Sequence, residues 1–259
     1  MISCKGKVEI LKMEKATRVV QEVLAECGQA IAPGVSTEEI DRIAAAGISA
    51  RGARAAFPGY RGYPKTICVS VNDEVVHGIP SPRRKLKEGD IVGLDLGAIV
   101  DGYFGDSART FAVGRVSDEA TALMTATRLS LEAGIAQCVP GHRLYDIGAA
   151  VQAVAEGAGF SVVREYVGHG IGRQMHEEPQ VPNFVDARSN QRLRPGMTIA
   201  IEPMVNAGRP EVKILKDGWT VVTQDGSLSA HFEHTVLITE GEPEILTWPS
   251  QMPSKLRVA

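Results

Sequence analysis

Four carboxylates stand where carboxylates are costly. Ile91-Val92-Gly93-Leu94-Asp95-Leu96-Gly97-Ala98-Ile99-Val100 is an apolar, strand-like run with Asp95 at its centre, and Asp101-Gly102 follows as a hairpin signal. A two-residue turn there sets Asp106 opposite Gly97 and makes Asp95 its diagonal neighbour, at roughly 7–8 Å between backbones. Thr198–Val205 carries Glu202 inside a second apolar run, and Ala230–Ile238 carries Glu233 beside a third. Alone, Asp95 also fits the wet face of an edge strand, since antiparallel sheets often expose one side. Four such groups, two per half of the chain, need a common explanation. A buried, isolated carboxylate is strongly destabilised or takes up a proton. Divalent cations remove that penalty.

His169 joins them. It lies in Val167-Gly168-His169-Gly170-Ile171-Gly172, where glycines let the backbone fold tightly and aim the imidazole inward. The Gly-x-Gly-x-Gly spacing is wrong for a dinucleotide fingerprint, and Pro179 and Pro182 leave no clear helix after it. Four carboxylates and one imidazole are too many for one catalytic zinc and suit two ions with bridging carboxylates. The oxygen-rich shell favours Mn, Fe or Co, with Zn admissible. Two such ions lower the pKa of a shared water and stabilise a tetrahedral anion, so the reaction class is metal-assisted hydrolysis. His77, in Glu74–Pro80, and His176, before Glu177-Glu178-Pro179, read either as exposed loop histidines or as substrate contacts. His142, His231 and His234 read as structural.

These residues need elements to place them. Val19, Val20, Val23, Leu24, Cys27, Ala30 and Ile31 repeat at helical spacing over 13–31, up to the stop at Pro33-Gly34. Ser36-Thr37-Glu38-Glu39 opens a second helix as a capping box, ended by Gly52. Strand-like segments follow at 66–71, 90–99 and 107–113. Helical patterns return at 118–138 and 144–156, then strands at 161–167, 197–205, 211–215, 219–223 and 231–239. The order is two helices then strands, twice. The expectation is an α+β body whose helices cover one side of a mixed or antiparallel sheet. No low-complexity linker intervenes, so 1–259 reads as a single domain, with pseudo-repeats about 8–114 and 115–247 and a loose tail over 248–259.

Composition excludes other classes. The chain has 259 residues, 28 Lys plus Arg and 31 Asp plus Glu, a net charge of -3 that lacks the basic excess of a DNA or RNA binder. Aromatics at 5% argue against base-stacking platforms. There is no membrane-length apolar run and no signal-peptide pattern at the start, which predicts a cytoplasmic protein. Cysteines 4, 27, 68 and 138 are far apart, so reduced thiols are expected. Lys5, Lys7, Lys12 and Lys15 read as a solvated helix face, with transient contact to the ribosome the alternative.

Asn72–Pro80, Gly89–Asp106, Gly168–Val181, Pro195–Met204 and Glu233-His234-Thr235 match, in order and spacing, the type I methionine aminopeptidases. The chain resembles that family from about residue 6 to 247 and is similar to its compact bacterial form; the stretch from His169 to Glu202 lacks the insertion of the type II enzymes. The resemblance implies a pita-bread fold with a central dinuclear metal cleft and removal of initiator methionine from nascent polypeptide N-termini when the second residue is small. It implies that Asp95 chelates the first ion, Asp106 and Glu233 bridge both, and His169 and Glu202 complete the second. By the same resemblance Glu202 takes the proton of the metal-bridged water as general base. His176 polarises the scissile carbonyl, and His77 contacts the amide nitrogen. Tyr60, Tyr63, Cys68 and Trp219 would surround the methionine side chain. Phe57 stands where some members have cysteine and Met175 where an aromatic is common, so both are expected to reshape that pocket. A monomer is expected. Prolidases and aminopeptidases P usually add an N-terminal domain, for which this chain has no room. A non-catalytic pita-bread binding protein would have lost metal ligands that are all present here.

Overall fold

A computed structural model describes residues 2–247. The expected loose tail over 248–259 lies outside the described residues. Helix α1 (Lys7–Gln29) begins earlier than the apolar periodicity indicates, because Val8 and Leu11 in its first turns are exposed and add nothing to the buried stripe. That stripe, Met13, Ala16, Val20, Val23 and Cys27, is fully buried. Helix α2 (Thr37–Ala50) starts as the capping box requires: the Glu39 N–H donates to Ser36 Oγ at 3.3 Å and the Ser36 N–H to Glu39 Oε2 at 2.7 Å. Helices α3 (Asp118–Ala136) and α4 (Leu144–Gly157) follow the strands of the first part and pack on each other.

Every strand pair described is antiparallel, and the strands form four sheets rather than one continuous sheet. The backbone of the first is a long hairpin, Ile91–Val100 against Tyr103–Ala112, closed by Asp101-Gly102 with both residues at positive φ. Helix α1 lies directly on it. A Cβ on Gly105 would come within 2.6 Å of the Thr17 nitrogen, so the close approach needs a glycine. Aliphatic side chains of α1, α2 and this sheet form one core cluster; α3, α4 and the later strands form another.

Two expected long strands are interrupted. The run 197–205 divides into Thr198–Ile201 and Met204–Asn206, and the run 231–239 divides between Ser229–His231 and His234–Leu237. Pro203 has no N–H to donate, so an unbroken ladder fails there. The run 161–167 keeps only Ser161–Val162 as strand. Glu177–Val181 forms a strand that periodicity missed, since it is short and its outer residues are polar.

The basic N-terminal segment is corrected at one position. Lys5 is buried, not solvated, and its ammonium donates to Glu177 Oε2 at 2.7 Å. Lys7 and Lys15 are exposed as expected, and Lys15 pairs with Asp101. All four cysteines are free thiols. Among the described residues no helix is long and apolar enough to cross a membrane.

Candidate active site

Glu202 and Glu233 occupy the two points where the chain leaves one sheet and enters another. Thr198–Ile201 pairs with His234–Leu237, whereas Met204–Asn206 pairs with Ser229–His231. Between these pairings Glu202-Pro203 and Phe232-Glu233 lie outside any ladder, which frees both side chains to turn away from the sheets. The hairpin supplies the other two carboxylates. Gly97 faces Asp106 and Asp95 faces Ala108, the register that the Asp101-Gly102 turn predicts. Hydrogen bonds tie the hairpin to the later strands: the Glu233 N–H donates to Ala108 O at 2.8 Å, and Ser107 Oγ donates to Glu233 O at 2.7 Å.

Asp95, Asp106, His169, Glu202 and Glu233 therefore line one cavity of about 210 Å³. One ligand atom each from Asp106, His169 and Glu233 lies within 4.8 Å of the others. His169 Nε2 stands 3.5 Å from Glu202 Oε1 and 3.8 Å from Asp106 Oδ2. Its Nδ1 lies 2.9 Å from the Gly170 carbonyl, which can only accept, so the hydrogen resides on Nδ1 and the Nε2 lone pair faces the carboxylates. Burial holds the His169 pKa down to about 3, which keeps the ring neutral.

The carboxylates are in electrostatic conflict. Burial pushes the pKa of all four upward, and mutual repulsion raises Asp106, Glu202 and Glu233 further. Asp95 Oδ1, Asp106 Oδ1 and Glu233 Oε1 are buried without any hydrogen-bond partner. Clustered acceptors with no donors, beside a neutral imidazole lone pair, fit divalent cations in chemistry and in number of donor atoms.

The remaining candidates border the same cavity. His176 Nδ1 lies 2.7 Å from the Tyr60 hydroxyl, and the two rings stack at 5.4 Å. His77 has a left-handed backbone (φ 61°) and is wedged edge-to-face between Tyr166 and Trp219. Burial lowers the pKa of each of these two histidines to about 4. Tyr63 meets Trp219 at 5.1 Å and Phe57 at 6.3 Å, and donates to Ile67 O and Gly78 O. Cys68, Phe57 and Met175 complete this apolar end. A Cβ on Gly97 would sit 2.9 Å from the Phe57 ring and 3.3 Å from the Met175 methyl, so the pocket floor is built against a residue without a side chain.

This arrangement has counterparts. The sequence profile of metallopeptidase family M24 matches residues 11–240. The chain belongs to metallopeptidase family M24. It is 51% identical to methionine aminopeptidase 1 of Bacillus subtilis over 95% of this chain and 99% of that one. A crystal structure of methionine aminopeptidase from Thermotoga maritima superposes with a TM-score of 0.94 at 46% identity, over 96% of this chain and 100% of that one. A prolidase from Pyrococcus furiosus, at 22% identity and a TM-score of 0.75, is matched over 96% of this chain and 66% of its own, and shares the fold. The fold is the α+β pita-bread fold expected from the motifs.

One residue of this metallopeptidase's cleft differs from expectation. His231, expected to be structural, lines the cavity, and its Nε2 lies 3.9 Å from Glu202 Oε2. The available signal was alternation: His231 and Glu233 are two apart, and in an extended segment such residues share a face. His234 faces elsewhere, with Nδ1 2.9 Å from Thr247 Oγ1.

Proposed function

We propose that this metallopeptidase releases the initiator methionine from nascent polypeptide N-termini when the second residue is small. The observation that carries this is the convergence of Asp95, Asp106, His169, Glu202 and Glu233 on one cavity whose other end is lined by Tyr60, Tyr63, Cys68 and Trp219. The methionine aminopeptidases it resembles support the same reading. A flexible thioether packs well against aromatic edges and the Cys68 and Met175 sulfurs.

Asp95, Asp106, His169, Glu202 and Glu233 would hold two divalent ions, from among Mn, Fe, Co and Zn. Bound there, the ions supply Lewis acidity, lowering the pKa of a water and stabilising negative charge on the scissile carbonyl oxygen. Glu202 would take a proton from the attacking water as the new carbon–oxygen bond forms. With the Tyr60 hydroxyl donating to Nδ1 of His176, Nε2 carries the hydrogen and can donate to the carbonyl oxygen as charge develops. The carbon–nitrogen bond then breaks, and the proton held by Glu202 passes to the leaving amine, which His77 contacts. Burial keeps both histidines neutral, so they act as hydrogen-bond donors rather than as fixed cations.

The two-helices-then-strands order, occurring twice, supports one domain with pseudo-repeats about 8–114 and 115–247. The protein acts in the cytoplasm, as a monomer. The reading is tested with Met-Ala-Ser and Met-Lys-Ser, supplied to the purified protein with Mn, Fe, Co or Zn in turn under anaerobic conditions. Methionine release from the first and hardly any from the second is expected; equal rates on both would remove the specificity, and no release with any ion would remove the activity.

A further inference from the structure

Glu202 has two carboxylate oxygens and two imidazoles beside it. Oε1 is 3.5 Å from His169 Nε2 and Oε2 is 3.9 Å from His231 Nε2. The His169 nitrogen has no hydrogen to give, because the Gly170 carbonyl holds that hydrogen on Nδ1. The His231 nitrogen is the other case. It is buried, it lines the cleft, and it has no hydrogen-bond partner. Its backbone is fixed on both sides by one hydroxyl: Thr110 Oγ1 donates to His231 O at 2.9 Å and accepts from the His231 N–H at 2.9 Å. The register places His231 opposite Met204, two residues beyond Glu202, so strand pairing sets the ring beside the carboxylate.

We propose that His231 is a positioning residue for Glu202, its Nε2–H directed at the carboxylate oxygen that does not face His169. A carboxylate held through one oxygen alone still pivots about its last side-chain bond and spends less time aimed at the attacking water. A donor on Oε2 restricts that rotation. The gap of 3.9 Å closes to hydrogen-bond length with a side-chain shift of roughly 1 Å. The opposite tautomer would set a nitrogen lone pair against a carboxylate, which is repulsive, so the same contact selects the hydrogen on Nε2. This deepens the reading of Glu202 as proton acceptor and ligand, and it rests on that reading.

The test compares the parent with His231→Leu, which has no donor, and with His231→Gln, whose amide restores one. kcat and KM are measured on Met-Ala-Ser, and Mn binding is followed by isothermal titration calorimetry. The expected result for His231→Leu is a kcat lowered about tenfold or more with KM nearly unchanged, as for loss of a hydrogen bond to a charged group. Binding of one Mn is weakened and the other is unaffected, while His231→Gln recovers most of both. Equal values for parent and His231→Leu overturn the proposal. So does a His231→Gln variant as impaired as His231→Leu, because the ring would then serve only to fill space. Should His231→Leu fail to fold by circular dichroism, His231→Met, longer and unbranched, takes its place in the same comparison. A parent that releases no methionine indicts the proposed function instead, so the two failures are distinguishable.

Discussion

Thr235 Oγ1 donates a hydrogen bond of 2.8 Å to the carbonyl oxygen of Asp106, 129 residues earlier in the chain. The bond is fully buried and joins the strand after Glu233 to the strand bearing Asp106. It therefore fixes the distance between two carboxylates that repel each other. Thr235→Val keeps the shape and deletes the donor. We expect a loss of about 1–3 kcal/mol in urea unfolding, the usual penalty for a buried acceptor left without its partner. Mn affinity should weaken in parallel. An unchanged urea midpoint would show that the contact does not brace the site.

Glu202→Gln removes the proposed proton acceptor while preserving volume. The variant should fold as the parent does, since the amide fills the same volume beside the His169 and His231 rings. Turnover of Met-Ala-Ser should fall by about a hundredfold or more, the scale of general-base contributions. Retained turnover in a variant with parent-like circular dichroism would take Glu202 out of the proton path.

Lys5 and Glu177 form a buried pair whose second carboxylate oxygen accepts the N–H groups of Arg173 and Gln174. That carboxylate organises the turn leading into Met175 and His176. Lys5→Met leaves it without its cation in a mostly buried place. The expected cost is on the order of 3 kcal/mol in denaturant unfolding, the scale for breaking a buried pair by removing one partner. A reduced kcat should accompany it, because His176 hangs on the turn. Stability equal to the parent would mean that the turn holds without the ammonium.

The pH dependence follows from the raised carboxyl groups. Burial lifts Asp95 to about 7 and raises Asp106, Glu202 and Glu233 as well. For groups raised in the folded state, the stability they contribute to the metal-free fold is full below their unfolded values, about 4, and is lost as pH climbs through the folded values. Cations bind the ionised form, so loading the site expels those protons. His169, already neutral with its pKa near about 3, releases none. Mn affinity should thus rise between about pH 6 and 8. Calorimetry at about pH 7 in two buffers of different ionisation enthalpy should register net proton release. An affinity flat across that range, with no protons released, would mean that the carboxyls are already ionised in the metal-free fold.

Local sequence determined much of this protein. The Asp101-Gly102 turn set the register of the hairpin and hence the pairing of Asp106 with Gly97, because a two-residue loop leaves only one alignment. Ser36 and Glu39 fixed where α2 begins, since the capping contacts span three residues. Asp95, Asp106, Glu202, Glu233 and the glycine-flanked His169 stood out because each contradicts the apolar character of its own neighbours. Family motifs then named His77, His176 and the apolar pocket, which periodicity alone left open between loop and site.

Tertiary structure decided the rest. Breaks at Glu202-Pro203 and Phe232-Glu233 arise because the two chain segments move together from one sheet to another, a switch that a single strand's alternation does not encode. Lys5 is buried only because a carboxylate 172 residues away awaits it. His231 turns toward Glu202 because Thr110, on a strand from the other part of the chain, grips both of its backbone polar groups. The physical reason is common to all three. Pattern and propensity report a residue's face within its own element, whereas these contacts join elements whose separation in sequence carries no periodic signal, and only packing selects which faces meet.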